Sequence, residues 1–589
     1  MKKSNTNKLI NLFLIIALFC FVLIIIRVSY LGLAKEVDGT NLKSFADSRT
    51  IVSRTMYAKR GNIYDSSGST LATNVASYTL IAYVDESRSE GESKLYHVKD
   101  KEMTAKKLAT VIDMKEKEIL DILNQKNRYQ VEFGLAGKAL TELQKEEIEK
   151  LNLPGIDFIA DEQRYYPNGD FASYTLGYAE NNEDGKIEGV LGLEDLLNDV
   201  LSGTDGYTTY QKDLNGYKIP GTKEVTVSSI DGNDVYLTLD SNIQFFVENA
   251  ANEAEDKYKF DWLTLIVADA KTGKILGSTQ KSSFDPNKRN IKNWNDITVS
   301  AYEPGSIMKI YTYMASMEKG VYRGDNTYTS GKYKVDDDTT INDWNGYGFG
   351  TITFDQGFQA SSNVGVINLV NNGLGKQYLY DYFTKMGFGK KTGITLDNES
   401  AGQVKFQYQT EVYNASFGQG ITTTPIQHVQ ALTAIANDGI MLKPYIIEKV
   451  VDENGKVVYE GKKEEIGRVA SKETAEKIRD LMYLTVNGNY AYKTGGDYKV
   501  EGANVIGKTG TAQLVNSYTG TYYNDDYNVT KSFVGMWPKD NPEVIIYASV
   551  NKTANSNPIS TSVKSIVTNM NKYLNILNQV KKRQVQIKK

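Results

Sequence analysis

The longest apolar run of the chain covers residues 9–26, in which Asn11 is the only polar residue. A run of this length predicts a helix that spans a bilayer, and three lysines among the first eight residues predict a cytoplasmic N-terminus. The alternative is a cleaved signal peptide with a processing site at residues 32–34, but the run is long for that purpose. We therefore expect a cytoplasmic tail over residues 1–8, a membrane anchor over residues 9–28, and the remaining chain outside the cell membrane.

The second half of the chain alternates short apolar runs with longer helical patterns. The short runs predict strands at residues 235–239, 263–268, 275–277, 532–538 and 544–548, and a further strand is expected at Lys508, after the apolar residues 503–506. A final helix is expected over about residues 560–578. Strands at both ends with helices between them indicate an α+β domain, whose sheet pairs distant parts of the chain. We place this domain at residues 233–578.

Residues 40–230 are rich in turns and contain polar helical patterns at residues 103–109 and 140–151. No pairing of a nucleophile with a base is recognisable there, so this region is expected to act as a structural and interaction module. The last residues, 579–589, are basic and predict a solvated tail, with weak attraction to an anionic membrane or wall polymer as the alternative.

Composition narrows the function classes. The chain has 589 residues, enough for about three domains, and its net charge of −4 argues against nucleic acid as the main partner. The chain has a single cysteine, Cys20, so it cannot form an internal disulfide framework. This cysteine lies in the apolar run. The two isolated histidines, His97 and His428, are expected neither to be catalytic nor to hold zinc. No metal and no cofactor is therefore expected.

Residues 306–309 (Ser-Ile-Met-Lys) place a hydroxyl three positions before an amine, just after a Pro-Gly pair. In a helix these positions lie about 60° apart on one face. The serine would sit at the helix N-terminus, where free N–H groups favour negative charge. A lysine with a lowered pKa can take the serine's proton. Two further matches to this spacing, residues 278–281 and 316–319, are interpreted as ordinary surface residues.

Two later motifs give the serine its context. Ser361-Ser362-Asn363 follows downstream, and Lys508-Thr509-Gly510 comes after it, next to the apolar residues 503–506. Lys-Thr-Gly also occurs three more times: residues 271–273 predict the tight turn of a hairpin, and residues 391–393 and 493–495 are interpreted as loops. The order of the three motifs makes a stronger signal than any one of them.

At this point the chain resembles the class B high-molecular-mass penicillin-binding proteins, for which Ser-x-x-Lys, a middle Ser-x-Asn and Lys-Thr-Gly are characteristic. Four further segments are similar to patterns of that family: residues 60–65, 164–169, 189–194 and 418–427. The similarity extends from about residue 50 to about residue 550. It is greatest to the division-associated transpeptidases of Gram-positive bacteria.

The resemblance implies a single N-terminal transmembrane helix, an elongated pedestal or dimerisation domain, and a penicillin-binding, β-lactamase-like transpeptidase domain with a central antiparallel sheet flanked by helices. It implies a peptidoglycan D,D-transpeptidase that cross-links stem peptides ending in D-Ala-D-Ala and releases D-alanine. It also implies that β-lactams bind and inhibit the enzyme. Septal cell-wall synthesis is the implied setting. The implied partners are a membrane glycosyltransferase and division proteins.

We assign the chemistry by role. Ser306 attacks a peptide carbonyl and becomes an ester. Lys309 is the general base, made neutral by burial and by the nearby cation Lys508. Ser361 relays a proton to the leaving amine, and Asn363 holds both Lys309 and a substrate amide, because its side chain donates and accepts hydrogen bonds.

The remaining site residues are assigned to the substrate. Lys508 and Thr509 are expected to bind the terminal carboxylate, and the absence of a side chain at Gly510 would let the substrate lie against this strand as an added strand. The resemblance implies that the backbone N–H groups of Ser306 and Thr511 form the oxyanion hole.

Several alternatives share these motifs. A D,D-carboxypeptidase would pass the acyl group to water, and a β-lactamase would hydrolyse its acyl-enzyme quickly. The anchor, the chain length and the lack of a clear Glu-x-x-Leu-Asn segment after Ser361 argue against a β-lactamase. A division scaffold with a silent site is a different class of function, which the intact motifs disfavour. A β-lactam sensor is disfavoured because no second long apolar run is present.

Overall fold

The structure is a computed structural model that describes residues 3–33, 36–37, 40–41, 51–182, 185–211, 224–291, 294–553 and 557–587. The chain forms two compact units. The smaller unit consists of Met1–Lys59 and Gly203–Asp231, and the larger unit consists of Arg60–Ser202 and Gly232–Lys589.

The α-helices, numbered along the chain, are α1 Lys3–Leu33, α2 Lys101–Leu108, α3 Glu116–Leu123, α4 Glu142–Lys150, α5 Ser173–Leu176, α6 Gly192–Leu196, α7 Asn198–Leu201, α8 Ser241–Lys257, α9 Lys309–Glu318, α10 Phe354–Gln359, α11 Asn363–Leu369, α12 Lys376–Lys385, α13 Gln409–Ser416, α14 Pro425–Ala436, α15 Lys472–Asn487 and α16 Pro558–Ile587. Short 3₁₀ turns occur at Glu86–Ser89, Gly134–Gly137, Gly305–Met308 and Gly496–Tyr498.

The strands are β1 Glu36–Val37, β2 Thr40–Asn41, β3 Ile51–Met56, β4 Ile63–Tyr64, β5 Thr70–Tyr83, β6 Gln130–Glu132, β7 Ile156–Tyr165, β8 Tyr178–Asn181, β9 Ile187–Leu191, β10 Gly206–Gln211, β11 Val225–Val227, β12 Asp234–Leu237, β13 Trp262–Asp269, β14 Ile275–Lys281, β15 Thr327–Thr329, β16 Lys332–Lys334, β17 Thr340–Asn342, β18 Thr351–Thr353, β19 Ile440–Leu442, β20 Ile447–Val451, β21 Val457–Glu460, β22 Glu465–Arg468, β23 Ile506–Gln513, β24 Val529–Trp537 and β25 Val544–Asn551.

The smaller unit contains the apolar helix and a three-stranded sheet. Within α1, residues Ile10–Tyr30 form a stretch that is long and apolar enough to cross a membrane. The expected anchor overlaps this stretch, and Cys20 is exposed on it. The sheet has the order β11-β10-β3, with antiparallel neighbours.

The larger unit is built around a five-stranded antiparallel sheet of order β14-β13-β25-β24-β23. Its strands alternate between two apolar cores, as a period of two requires. Leu263 and Val267 pack on the side of α8 and α16, whereas Ile266 and Ala268 face the core that contains α9 and α14. The expected α+β domain with helices on both faces of an antiparallel sheet is confirmed. The predicted hairpin is also present, and Gly273 adopts φ +83° in its turn.

The expected opening strand at residues 235–239 lies in a different sheet. β12 pairs antiparallel with β20 and parallel with β4, in a sheet of order β21-β20-β12-β4-β5-β6. A short alternating run specifies which face of a strand is buried but not which strand it pairs with, so this arrangement could not be predicted from the sequence. Strands on both sides of residue 230 therefore share one sheet, and the proposed boundaries at 40–230 and 233–578 stay predictions.

A buried ion triplet joins three of the segments that carry the family resemblance. The carboxylate of Glu194 accepts from Arg60 Nε at 2.8 Å and from Arg164 Nε at 2.6 Å, and Tyr166 donates to it at 3.2 Å. The side chain of Glu194 is fully buried. Burial by itself would raise the pKa of Glu194, but the charges of Arg164 and Arg60 outweigh it and lower the pKa. The triplet thus fixes the start of β4, the end of β7 and helix α6 to one another.

The last helix is longer than expected. α16 runs from Pro558 to Ile587, whereas the sequence predicted an end near residue 578 and a solvated basic tail after it. Lysine, arginine and glutamine are good helix formers, so the basic residues continue the helix. The stretch predicted as a tail is therefore helical up to Ile587.

Candidate active site

Ser306 lies in the 3₁₀ turn Gly305–Met308, which leads directly into α9. Gly305 adopts φ +64°, a conformation that strongly favours glycine, and a Cβ there would lie 2.5 Å from the carbonyl oxygen of Thr511. The N–H of Gly305 donates to the carbonyl of Gly418 at 3.0 Å. The Pro-Gly break before the serine is thus required by close contact with β23, and the turn presents Ser306 with a partly exposed side chain.

Lys309 begins α9 with its side chain almost fully buried. Its Nζ donates to the carbonyl oxygen of Ser361 at 2.5 Å, to Asn363 Oδ1 at 2.8 Å and to Ser361 Oγ at 3.3 Å. Burial lowers the pKa of Lys309 to about 7, against the charge of Asp343, which raises it. The amine is therefore close to half neutral at physiological pH.

Ser361 connects the other two motifs. Lys508 Nζ donates to Ser361 Oγ at 2.8 Å, so this hydroxyl lies between the two lysines. Burial and then the charge of Lys309 lower the pKa of Lys508. Ser361 has φ +58°, a strained conformation for a residue with a side chain, of the kind that collects at functional sites. The residues Lys309, Ser361, Asn363 and Lys508, predicted from distant motifs, thus meet in one network.

The Lys-Thr-Gly motif lies on β23, which pairs with β24 at the edge of the five-stranded sheet. Lys508 points inward, while Thr509 is half-buried and Thr511 is exposed, as strand alternation requires. Thr509 Oγ1 donates to Thr494 Oγ1 at 2.9 Å. Within the described residues, the other edge of β23 has no partner strand, so it is available to an extended peptide.

Packing inside the protein also requires glycine at position 510, apart from its expected role in the approach of a substrate strand, which stays a prediction. A Cβ there would lie 2.3 Å from Ser532 Oγ and 2.9 Å from the carbonyl oxygen of Pro304. These atoms belong to the protein, so Gly510 is needed for the contact between β23 and the turn that carries Ser306. The sequence could not show this, because the face on which the missing side chain would lie depends on the packing.

We expect Gly510→Ala to displace β23 from the Ser306 turn and to lower both acylation by a labelled penicillin and the thermal midpoint. The matched control is Gly496→Ala, where a Cβ would meet only the flexible end of Lys493 at 3.4 Å. Wild-type acylation by the Gly510→Ala protein would contradict the role given to this contact.

Two residues that support the site, Thr494 and Asp343, were not predicted from the sequence. Thr494 belongs to the Lys-Thr-Gly copy at residues 493–495, which was interpreted as a loop; it is one, but it contacts Thr509. Asp343 accepts from Ser362 Oγ at 2.9 Å and from the N–H of Val364 at 3.1 Å, and so fixes the start of α11. A lone aspartate carries no sequence signal for this task.

In the other two Ser-x-x-Lys matches, the prediction of surface residues is correct only for Lys319, which is exposed. Ser278, Lys281 and Ser316 are all nearly or fully buried. Lys281 Nζ lies 3.4 Å from Asp170 Oδ2 and donates to Ser283 Oγ at 2.8 Å. Pattern matching at one spacing gave no information on burial, which tertiary packing decides.

His428 is fully buried in α14, where its Nε2 lies 2.8 Å from Thr423 Oγ1 and its Nδ1 lies 3.3 Å from the hydroxyl of Tyr311. Burial lowers the pKa of His428 to about 3, so the ring is neutral. His97 lies elsewhere, with its Nδ1 2.7 Å from Ser89 Oγ. Neither histidine is among the partners of Lys309, Ser361 or Lys508 given above.

Comparison with known proteins agrees with this geometry. Residues 263–571 match the family described as penicillin binding protein transpeptidase domain, and residues 55–237 match the penicillin-binding protein dimerisation domain. The chain belongs to the class B penicillin-binding proteins, a family of peptidoglycan D,D-transpeptidases. With the apolar helix α1, this membership indicates a membrane-anchored protein.

Individual relatives cover most of the chain. Stage V sporulation protein D of Bacillus subtilis is 32% identical over 555 residues, which are 91% of this chain and 81% of that protein. The probable peptidoglycan D,D-transpeptidase PenA of Neisseria gonorrhoeae is 26% identical over 560 residues, covering 94% and 89%. Among solved structures, penicillin binding protein 2X of Streptococcus thermophilus has 34% identity and a TM-score of 0.71, covering 89% of this chain and 80% of that one. Penicillin binding protein 3 of Mycobacterium tuberculosis, complexed with aztreonam, has 26% identity and a TM-score of 0.67, covering 89% and 98%.

Proposed function

We propose that this protein cross-links peptidoglycan through an acyl-enzyme on Ser306. The Ser306 oxygen attacks the carbonyl between the two terminal D-alanines of a stem peptide, D-alanine leaves with a proton, and an amine of a neighbouring strand then displaces Ser306. The observation that supports this most is the hydroxyl of Ser361 held between Lys309 and Lys508, next to the Ser306 turn.

Lys309 is the general base in this proposal. A base works best when its pKa is close to the working pH, and burial brings the pKa of Lys309 to about 7. Its bonds to Ser361 and Asn363 fix the amine in place, and the hydroxyl of Ser361 can pass a proton on to the leaving amine. The Nδ2 of Asn363 donates to the carbonyl of Asn342 at 2.9 Å, so its oxygen is turned towards Lys309.

The donor peptide would lie along the free edge of β23. Thr509, with Lys508 behind it, would bind the terminal carboxylate, and the incoming negative charge would favour the protonated form of Lys508. The backbone N–H groups of Ser306 and Thr511 would form the oxyanion hole. The contact of Gly305 with the Thr511 carbonyl supports this, because it brings the two segments together.

We further propose a cytoplasmic N-terminus and an extracellular catalytic region, with residues 40–230 as pedestal and 233–578 as transpeptidase domain. Septal synthesis, with a membrane glycosyltransferase and division proteins as partners, follows from the family resemblance. The similarity to a stage V sporulation protein favours spore-wall synthesis as a second setting. A fluorescent fusion at the septum of vegetative cells supports the first, and a signal confined to developing spores supports the second.

Inhibition by β-lactams is part of the proposal, since a relative of known structure has been seen with ampicillin and with aztreonam. The deciding experiment follows a donor peptide ending in D-Ala-D-Ala in the presence of an acceptor amine. A cross-linked product together with a penicillin adduct stable for minutes to hours supports the transpeptidase. Release of D-alanine without transfer indicates a carboxypeptidase, rapid turnover of the adduct a β-lactamase, and no reaction a silent scaffold.

A further inference from the structure

A cavity of about 380 Å³ lies beside the Ser306 turn. It is bordered by Tyr302 and Glu303, just before the turn, and by residues 512–515, just after Thr511 on β23. Trp262 also lines this cavity. This volume is within the range of small-ligand sites and is ample for an amine-bearing side chain.

Glu303 is the one charged side chain among the described residues that line this cavity. Its Oε1 accepts two hydrogen bonds, from the N–H of Gly420 at 3.0 Å and from the hydroxyl of Tyr522 at 2.9 Å. Its Oε2 is buried and has no hydrogen-bond partner in the described part of the chain. Burying a carboxylate oxygen without a hydrogen-bond donor costs free energy. A ligand that donates a hydrogen bond to this oxygen would remove that cost.

The neighbouring residues do not supply that donor. The hydroxyl of Tyr302 is engaged with Tyr547 at 2.7 Å and with Ser549 at 2.6 Å. The rings of Trp262 and Tyr302 lie 5.1 Å apart in the cavity wall. Aromatic faces and a carboxylate both attract an ammonium group, and both would repel an anion.

The site is tied to the nucleophile by the backbone. One turn contacts two residues that precede Ser306. The carbonyl of Gly418 accepts from the N–H of Gly305, and the N–H of Gly420 donates to Glu303 Oε1. Glu303 precedes Ser306 by three residues, and both the Glu303 side chain and the Ser306 turn are fixed by contacts with this same turn. A ligand at Oε2 would be positioned relative to the acyl-enzyme.

We propose that Glu303 binds the ammonium group of the acceptor strand and takes its proton. This inference rests on the proposed function and deepens it. The carboxylate of Glu303 accepts one proton from the ammonium, which leaves a neutral amine. The amine nitrogen then forms a bond to the ester carbon, the bond from that carbon to Ser306 breaks, and the second amine proton returns to the Ser306 oxygen through Ser361 and Lys309. Burial raises the pKa of Glu303, which suits a group that must accept a proton.

The test measures how the acyl-enzyme partitions between an amine and water. The full-length protein in detergent receives a thioester donor of N-acylated D-alanine, with D-alanine or Nα-acetyl-lysine amide as acceptor, so that α-amines and ε-amines are compared. Glu303→Gln keeps an oxygen for Gly420 and Tyr522 but loses the charge. We expect it to lower the ratio of aminolysis to hydrolysis by about tenfold or more. Acylation by labelled penicillin, which needs no acceptor, should stay within about threefold of wild type.

Glu303→Asp is the matched variant, because it keeps the charge but shortens the side chain that Tyr522 and Gly420 contact. A proton-accepting role predicts a higher aminolysis ratio for Asp than for Gln, whereas a merely structural role predicts the reverse order. If the ratio of aminolysis to hydrolysis is unchanged in Glu303→Gln, or falls only as much as penicillin acylation does, the role of Glu303 is refuted while the proposed function stands. A wild-type protein that is acylated but transfers to neither amine overturns the proposed function as well.

Discussion

Replacing Lys309 by methionine is expected to slow acylation by a labelled penicillin by roughly 10²–10⁴-fold, the usual contribution of a general base. Methionine fills a similar volume and is tolerated in a buried position. It removes the amine that contacts Ser361 and Asn363, so Ser306 would lose its route for the proton. The second-order rate constant of acylation, measured by gel fluorescence, is the readout.

The pH profile separates a base from a structural lysine. The neutral form of Lys309 is the base, and burial places its pKa at about 7. Wild-type acylation should therefore rise with pH up to about 7 and then level, whereas the Lys309→Met profile should be flat there. Lys319→Met, in another Ser-x-x-Lys match, is the control and should behave as wild type. A Lys309→Met protein that is acylated at the wild-type rate would refute the assignment.

Replacing Glu194 by glutamine is expected to destabilise the larger unit by about 3–5 kcal/mol, because it leaves two buried guanidinium groups without their counter-charge. Arg60 and Arg164 each lie within 3 Å of this carboxylate, and its side chain is fully buried. The urea midpoint of the detergent-solubilised protein measures the change.

Glu180→Gln is the matched control for this prediction. Glu180 pairs with Arg289 at 3.1 Å, but both side chains are more than a third exposed. Exposed pairs contribute about 0–1 kcal/mol, so its midpoint should hardly move. Equal shifts in the two variants would show that the buried triplet has no special part in stability.

The fold class was predictable because its signals are local and periodic. The apolar run at residues 9–26 and the short apolar runs at residues 263–268 and 544–548 need no partner to be recognised. The ordered motifs also brought Lys309, Ser361 and Lys508 together as a hypothesis, because motif order is a property of the chain.

What the sequence did not contain is the choice of partner. The pairing of β12 with β4, the packing of Gly510 against Ser532 and the support of Ser362 by Asp343 all depend on residues far apart in the chain. A short strand, a glycine or a single aspartate occurs in many structural settings, and its sequence does not indicate which residue it will contact. The unpartnered oxygen of Glu303 is visible only once the cavity around it is built.

The account depends most on Ser306 as the atom that carries the acyl group. Peptide mapping by mass spectrometry of the protein after reaction with penicillin tests this directly. The account predicts one penicilloyl group, located on the peptide that contains Ser306, and no adduct in Ser306→Ala. An adduct on another residue, or one that persists in Ser306→Ala, would contradict it.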